Sequence, residues 1–298
     1  MVSEQAGATM SVINSQTPDD FAHLMDWVGR TAEQTDTITS APLSALAATL
    51  GQRDSTKSLT FVPPLWHWVY FNQHTPRHLI GPDGHALRGG FLPPVSLPRR
   101  MWAGGRLDFF FPLQVGDQVT RISTIHQIKP KQGRTGPLVF VDVQHDYMTR
   151  EGLALTEHHD IVYRGAALPQ AAQLQAQVAR TDHTMFEQVS PDPVLLFRYS
   201  ALTFNGHRIH YDRDYATQVE AYPGLVVHGP LLATLQLELL HRHQPNARLT
   251  HFNYQAVSPI FDTDAFSVCG VAEDSHEAAL WVANGAGGLA MQALARWA

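Results

Sequence analysis

The segment at residues 227–232 reads Val-His-Gly-Pro-Leu-Leu and opens an apolar run that continues to Leu240. Glycine followed by proline at the start of such a run is typical of the first turn of a helix, where proline's missing N–H is not needed. The first N–H groups of a helix have no partner inside it and attract negative charge. We therefore predict a helix that begins near Gly229 and offers backbone N–H groups to an anion.

Strand-like segments with turn signals between them occur in both halves of the chain. In the first half, residues 106–119 lead into candidate strands at 120–127, 138–147 and 153–163. The second half has candidate strands at 248–257, 265–272 and 278–286. Because these segments are short and follow one another closely, each half is predicted to contain an antiparallel meander.

The two halves also resemble each other. Residues 61–66, Phe-Val-Pro-Pro-Leu-Trp, enter an apolar run as residues 227–232 do, and the strand at Arg106 resembles the one at Arg248. The first copy is longer, by residues that we place between Asn72 and Gly105. The repeat predicts an α+β fold in which a long helix packed on a curved antiparallel sheet occurs twice. We place the domains at 15–165 and 180–298, with a small, polar linker between them.

Composition excludes several classes of protein. The chain has 298 residues, 44% of them hydrophobic and 16% charged, which is enough for a substantial core. A net charge of −6 gives no electrostatic footprint for nucleic acid. No window reaches the roughly 18 apolar residues of a membrane span. The single cysteine, Cys269, and a polar first segment without signal-peptide features favour the cytoplasm.

His210 is the candidate acid/base group. It lies in the tract Ala-Leu-Thr-Phe-Asn-Gly-His-Arg-Ile-His-Tyr-Asp at residues 201–212, shortly before the predicted helix start. Imidazole titrates near neutrality and can move protons to or from carbon or water. The backbone N–H of Gly229 could stabilise the enolate of a thioester. Together they suggest addition or loss of water next to a carbonyl group.

Only the second half of the repeat carries these groups. Val62 and Pro63 stand where the second copy has His228 and Gly229, and nothing in the first copy matches the His210 tract. We expect the N-terminal half to shape the substrate pocket, with Trp66 as a lining residue. At His228 the useful atom is expected to be the neighbouring N–H of Gly229, and its side chain to be structural or to contact substrate.

Four tracts carry a resemblance to a known family. Residues 204–212 and 222–232 resemble the C-terminal domain of the MaoC-like, double-hot-dog acyl-thioester dehydratases and hydratases, and residues 27–31 and 97–105 resemble its N-terminal partner domain. The resemblance implies a double hot-dog fold and a hydro-lyase that reversibly hydrates an α,β-unsaturated acyl-CoA. Within the family it favours a small branched dicarboxylic acyl group such as mesaconyl, hydrated to citramalyl-CoA. A homodimer is also expected.

The resemblance also suggests roles for single residues. The wider family's motif resembles Asp-x-Asn-Pro-Leu-His, in which the aspartate and the histidine hold water together. Here Asn205 stands at the position of the acid, His207 at the asparagine, Arg208 at the proline and His210 at the histidine. Asparagine can orient water but cannot accept its proton. His210 is therefore the expected acid/base, unless Asp212 or another carboxylate folds into the site.

Further residues are candidates for binding substrate. His207 could orient His210 or contact the acyl group, and Arg208 is the first candidate for pairing with a free carboxylate on the substrate. Arg99 and Arg100 could hold CoA phosphates through bidentate hydrogen bonds.

The sequence predicts no metal and no cofactor. Although His207 and His210 lie three residues apart, no cysteine pair or His-Glu-x-x-His pattern accompanies them. Three other functions stay open. They are a 3-hydroxyacyl-thioester dehydratase of the fatty-acid type, a hot-dog thioesterase with Glu238 as its acid, and a non-catalytic protein that binds acyl thioesters.

Overall fold

The computed structural model describes residues 18–52, 59–133, 136–165 and 177–298. Its α-helices are α1 (Ser40–Thr49), α2 (Pro193–Leu202) and α3 (Gly229–His243). Its strands are β1 (Thr31–Thr37), β2 (Arg99–Phe109), β3 (Gln118–Gly133), β4 (Gly136–Thr149), β5 (Gly152–Arg164), β6 (Met185–Val189), β7 (Leu249–Ala256), β8 (Phe266–Ala272), β9 (Glu277–Ala283) and β10 (Leu289–Trp297). Short 3₁₀ helices span Pro18–Trp27, Trp66–Val69, Arg77–Leu79 and Arg208–His210, and a π-helical turn spans Tyr215–Val219.

The described strands form one antiparallel sheet in the order β1-β3-β4-β5-β2-β7-β10-β9-β8-β6. The first five strands come from the N-terminal half and the last five from the C-terminal half. Each half has the same order of connection, in which its first strand is at the outer edge and its second strand is at the centre. The internal repeat predicted from the sequence is therefore present in the topology.

The two halves join where β2 pairs with β7, in register from Gly104 opposite Gln255 to Asp108 opposite His251. A side chain at Gly104 would place its Cβ 2.5 Å from the carbonyl oxygen of Tyr254. Such an approach excludes any Cβ, so this position in the junction requires glycine.

Helix α3 lies in the centre of the molecule. All ten residues from Leu231 to Leu240 are buried, and the helix packs on β6, β8, β9 and β10. Seven of these ten residues are apolar and they lie on all sides of the helix, so the helix has to be covered on every side. The N-terminal half contributes to this cover, because side chains of Trp66 and Gln52 reach the carboxylate of Glu238 on α3.

The second long helix, predicted for the apolar run after residue 61, is absent, and that prediction was wrong. The chain there forms only the four-residue 3₁₀ helix Trp66–Val69. Leu65 before it and Phe71 after it have left-handed backbone angles, with φ of 69° and 56°. Bulky aromatic side chains lose rotamer freedom in a helix, and this run contains several of them in succession.

The predicted strands are confirmed, but β1, β6 and β10 were missed. β1 and β6 lie at the two edges of the sheet, and the sequence of β1, Thr-Ala-Glu-Gln-Thr-Asp-Thr, has no apolar alternation. The predicted domain limits stay a prediction, since residues 15–17 and most of the linker lie outside the described residues. In the described part of the chain, no helix is long and apolar enough to cross a membrane.

Candidate active site

The tract that contains His210 is a turn held by its own backbone and side chains. Helix α2 ends at Leu202, Phe204 adopts a left-handed φ of 50°, and the N–H of Asn205 donates to the carbonyl oxygen of Ser200 at 2.8 Å. The Oδ1 of Asn205 accepts the backbone N–H of His207 at 3.0 Å. These bonds lead the chain into the 3₁₀ helix Arg208–His210 and turn the ring of His210 inward.

The imidazole of His210 is buried and its tautomer is fixed. Its Nδ1–H donates to the carbonyl oxygen of Val226 at 2.7 Å, which leaves a lone pair on Nε2. Burial lowers the pKa of His210 to about 4, although the bond to Val226 opposes the shift. His210 is therefore neutral at pH 7 and presents Nε2 as a base.

His228 lies flat against His210. The two rings are nearly parallel, with centroids 3.7 Å apart. His228 is fully buried, its Nε2 is 2.8 Å from the hydroxyl of Ser200, and its Nδ1 has no hydrogen-bond partner among the described residues. Burial holds the pKa of His228 well below its usual value, so the side chain is neutral. Its ring packs against one face of the His210 ring.

Helix α3 begins at Gly229, as predicted, directly after His228. The N–H of Gly229 has no acceptor inside the helix, and Pro230 has no N–H to compete with it. A Cβ built at Gly229 would meet only the ring of Trp102, at 3.8 Å. The helix start is thus open to a small group beside the two stacked imidazoles.

The site contains two residues that the sequence did not single out, Asp83 and His85 from the N-terminal half. Oδ2 of Asp83 accepts the Nδ1–H of His85 at 3.0 Å, and its backbone carbonyl accepts the N–H of Arg208 at 2.9 Å. The rings of His85 and His207 are 4.1 Å apart, and those of His207 and His210 are 5.4 Å apart. The sequence signal that could have indicated them is the Gly-x-Asp-Gly-His tract at residues 81–85, in the loop between Asn72 and Gly105.

The electrostatics of this cluster keep its imidazoles neutral. Burial lowers the pKa of both His85 and His207, and the hydrogen bond that His85 donates to Asp83 only partly opposes the effect at His85. Burial alone would raise the pKa of Asp83, but hydrogen bonds from the side chain and backbone of His85 lower it well below its usual value. The cluster thus combines one carboxylate with neutral rings.

Asp83, His85 and His207 could also hold a metal ion. One ligand atom from each lies within 4.8 Å of the others. Two imidazoles and one carboxylate suit a divalent transition metal. The absence of a metal stays a prediction, which a chelator can test.

Two of the predicted substrate-binding arginines are already paired. The guanidinium of Arg208 donates to Asp212 at 2.8 Å and lies over the ring of Tyr215, which leaves it poorly suited to bind a substrate carboxylate. The same ion pair, together with its bond to the N–H of Tyr215, keeps Asp212 from acting as the missing acid. Arg99 pairs with Glu220 at 3.0 Å.

Arg100 is the better placed cation. It stands two residues before Trp102 in β2, so both side chains point to the face of the sheet that meets Gly229. Among the described residues, the arginines that form ion pairs are Arg99, Arg106, Arg180, Arg208, Arg213, Arg242 and Arg296, and Arg100 is not one of them. Its charge contributes to lowering the pKa values of His85 and His207, which indicates that it lies near both.

Trp66 lies in the core, not in a pocket wall as the sequence suggested. Its side chain has no exposed surface, and its Nε1–H donates to Glu238 at 2.9 Å. Glu238 also accepts Gln52 Nε2 at 2.7 Å. The carboxylate proposed as the acid of a thioesterase is therefore occupied in holding the two halves together.

We expect Trp66→Phe to lower the free energy of unfolding by about 1–3 kcal/mol, because it leaves a buried carboxylate oxygen of Glu238 without its donor. Urea denaturation measures the change. Trp27→Phe is the matched control, since the buried Nε1 of Trp27 has no partner among the described residues. An equal loss in both variants would show that the hydrogen bond to Glu238 contributes nothing.

Solved structures of known proteins share the fold. A MaoC-like dehydratase from Phytophthora capsici matches 92% of this chain and 97% of its own, with a TM-score of 0.67 at 15% identity. A Mycobacterium tuberculosis protein with a double hotdog fold matches 95% and 98%, with a TM-score of 0.56 at 14% identity. The α+β double hot-dog architecture predicted from the sequence is confirmed, apart from its second long helix.

Sequence comparison identifies the family. The family model for hydroxyacyl-thioester dehydratase type 2 matches residues 65–262. The chain is 45% identical over 246 residues to mesaconyl-C(4)-CoA hydratase from Chloroflexus aurantiacus, covering 82% of this chain and 88% of the relative. It is 27% identical over 285 residues to the mitochondrial hydroxyacyl-thioester dehydratase type 2 of Schizosaccharomyces pombe, covering 83% and 91%. The chain belongs to the hydroxyacyl-thioester dehydratase type 2 family.

Membership confirms the class of enzyme predicted from the sequence, a hydro-lyase that acts on acyl thioesters. The roles of single residues remain predictions. His210, His228 and Gly229 lie together as expected, and Asn205 and His207 lie on the adjoining turn.

Proposed function

We propose that the enzyme reversibly adds water across the double bond of an α,β-unsaturated acyl-CoA, and that its substrate is mesaconyl-C4-CoA, which becomes citramalyl-CoA. The observation that carries the reaction is the pairing of a neutral, tautomer-fixed His210 with the open helix start at Gly229. The relative from Chloroflexus aurantiacus supports the acyl group.

In the hydration direction, Asn205 and the Nε2 of His210 hold a water molecule. Oδ1 of Asn205 is occupied by the N–H of His207, which leaves its NH₂ group to donate to the water oxygen. The water attacks the β carbon as His210 takes its proton, and the N–H of Gly229 stabilises the enolate oxygen. The His210 imidazolium then delivers a proton to the α carbon, and the base returns to its neutral state.

Tracing the proton tests this reaction. Purified protein is incubated with mesaconyl-C4-CoA, itaconyl-CoA and crotonyl-CoA in deuterated water, and the products are analysed by mass spectrometry and thiol detection. We expect a hydroxyacyl-CoA with one deuterium at the α carbon and the thioester intact.

The other outcomes separate the remaining functions. Release of free CoA without a hydroxyacyl intermediate would establish a thioesterase. A preference for unbranched 3-hydroxyacyl thioesters without a second carboxylate would indicate the fatty-acid type of dehydratase. Tight binding of acyl-CoA without any product would establish a binding protein. The occupied carboxylate of Glu238 already weakens the thioesterase interpretation.

A dicarboxylic substrate needs a cation in the pocket, and we propose Arg100 for this role in place of Arg208. The charge of Arg100 acts on His85 and His207, and none of the ion pairs among the described residues includes Arg100, whereas Arg208 is bonded to Asp212. A guanidinium can bind a carboxylate through two parallel hydrogen bonds.

Arg100→Ala is expected to lower kcat/KM for mesaconyl-C4-CoA by about 10- to 100-fold, the value of one hydrogen bond to a charged group. Crotonyl-CoA has no free carboxylate, so its kcat/KM should change much less. Arg208→Ala is the control and should affect both substrates by the same factor. An equal loss on both substrates in Arg100→Ala would instead assign Arg100 to the CoA moiety or to the fold.

We also propose a cytoplasmic protein that needs no cofactor and forms a homodimer. Its one cysteine, Cys269, is free, and burial raises the thiol pKa to about 11, which supports an inert role in a reducing compartment. Val194 and Phe197, exposed one turn apart on α2, support an apolar contact between copies. Light scattering after size-exclusion chromatography measures the oligomeric state.

A further inference from the structure

We propose that Asp83 and His85, supplied by the N-terminal half, form a carboxylate–imidazole pair that serves as a second acid/base group of the active site. This inference rests on the proposed hydratase function and adds to it. It assigns a catalytic role to His85 and a positioning role to Asp83.

The loop that carries Asp83 and His85 contacts the turn before His210 through backbone atoms. The N–H of Arg208 donates to the carbonyl oxygen of Asp83 at 2.9 Å. Gly84 has a φ of +91°, and a Cβ on it would lie only 1.8 Å from the carbonyl oxygen of Gly206. Glycine is therefore required there, and the loop has one position relative to the turn that bears His210.

Contacts between histidine side chains connect this loop to His210. The ring of His85 contacts that of His207 at a tilt of 41°, with centroids 4.1 Å apart, and His207 meets His210 edge to face at 5.4 Å. The charged and titratable groups that face His85 are Asp83, His207, His210, Arg88 and Arg100.

His85 and His210 present the same chemical group to the site. The Nδ1–H of His210 donates to a backbone carbonyl, and the Nδ1–H of His85 donates to Oδ2 of Asp83 at 3.0 Å. Oδ1 of Asp83 accepts the backbone N–H of His85 at 3.0 Å, which fixes the carboxylate. Each ring thus keeps a lone pair on Nε2.

Two neutral acceptors suit a nucleophilic water. Water donates its two hydrogens to the two Nε2 atoms and directs an oxygen lone pair at the β carbon. As the C–O bond forms, one O–H bond breaks and its proton moves to either of the two Nε2 atoms. On His85 the resulting imidazolium is stabilised by Asp83, as in other carboxylate–histidine pairs. The imidazolium that formed then returns its proton to the α carbon, so that one water is added and both bases are neutral again. Asp83 thus replaces the carboxylate that Asn205 lacks.

The test is His85→Ala, measured on whichever thioester the wild-type protein hydrates fastest. We expect kcat to fall by at least about 10²-fold with KM within about threefold, and added imidazole to restore at least about tenfold of the loss. Asp83→Asn keeps the shape but not the charge and should lower kcat by at least about tenfold. His74→Ala is the matched control, because His74 packs against Phe204 on the same turn.

Each other outcome is decisive. His85→Ala that keeps kcat within about threefold of wild type would overturn the inference alone. A loss of kcat that imidazole does not restore would reduce His85 to a structural support of the loop. Wild-type activity that a chelator abolishes and zinc restores would make Asp83, His85 and His207 a metal site instead. A wild-type protein that hydrates none of the thioesters would refute the proposed function itself.

Discussion

His210→Ala is expected to lower kcat by about 10²- to 10⁴-fold, the usual contribution of a positioned acid/base group. The variant should stay folded, because the rest of the turn is held by the backbone of Asn205 and by its Oδ1. Activity assays with mesaconyl-C4-CoA measure kcat, and far-UV circular dichroism shows whether the variant is folded. Near-full kcat in a folded variant would remove His210 from the mechanism.

The pH profile gives an independent check on the same residue. Burial holds the pKa of His210 near 4, so the base is neutral throughout the physiological range. We expect kcat/KM of the wild type to stay level from about pH 8 to pH 5 and to fall only as the pH approaches the pKa of His210, since kcat/KM reports groups of the free enzyme. An acid limb centred near pH 6.5 would show an ordinary, hydrated imidazole.

Gly229→Pro is expected to lower kcat by about 10²- to 10³-fold, because it removes the N–H that we propose stabilises the enolate. Proline fits the first turn of a helix, so α3 should keep its start. Gly229→Ala is the matched control. It keeps the N–H, and its Cβ would lie at an ordinary 3.8 Å from Trp102, so it should retain most of the activity. Equal losses in both variants would mean that space, not the N–H, matters at this position.

Local patterns predicted much of this molecule. The strands of the two meanders other than β10 follow from alternation, and the start of α3 follows from Gly229-Pro230. The predicted N-terminal helix does not form, because successive aromatic residues oppose a helix and because the left-handed angles at Leu65 and Phe71 depend on packing. The polar edge strand Thr31–Thr37 was missed because only its pairing with β3 makes it a strand.

Some residues of the candidate site could likewise be predicted from the sequence, and others could not. His210 and Gly229 could be chosen because a short turn and a helix start place them together. Asp83 and His85 lie far away in sequence, and only the joined sheet brings their loop to the C-terminal half. The pairing of Arg208 with Asp212 is a contact between residues four apart, and the spacing alone could have suggested it.

The burial of α3 on all sides has a consequence for how this chain can be divided. A fragment containing only the C-terminal half would leave β7 as an unpaired edge and would uncover the carboxylate of Glu238, together with the side of α3 that faces Trp66. Exposed edges and large apolar surfaces cause self-association. We therefore expect the half that carries His210 not to act as a catalyst alone. The two halves fold and function as one unit.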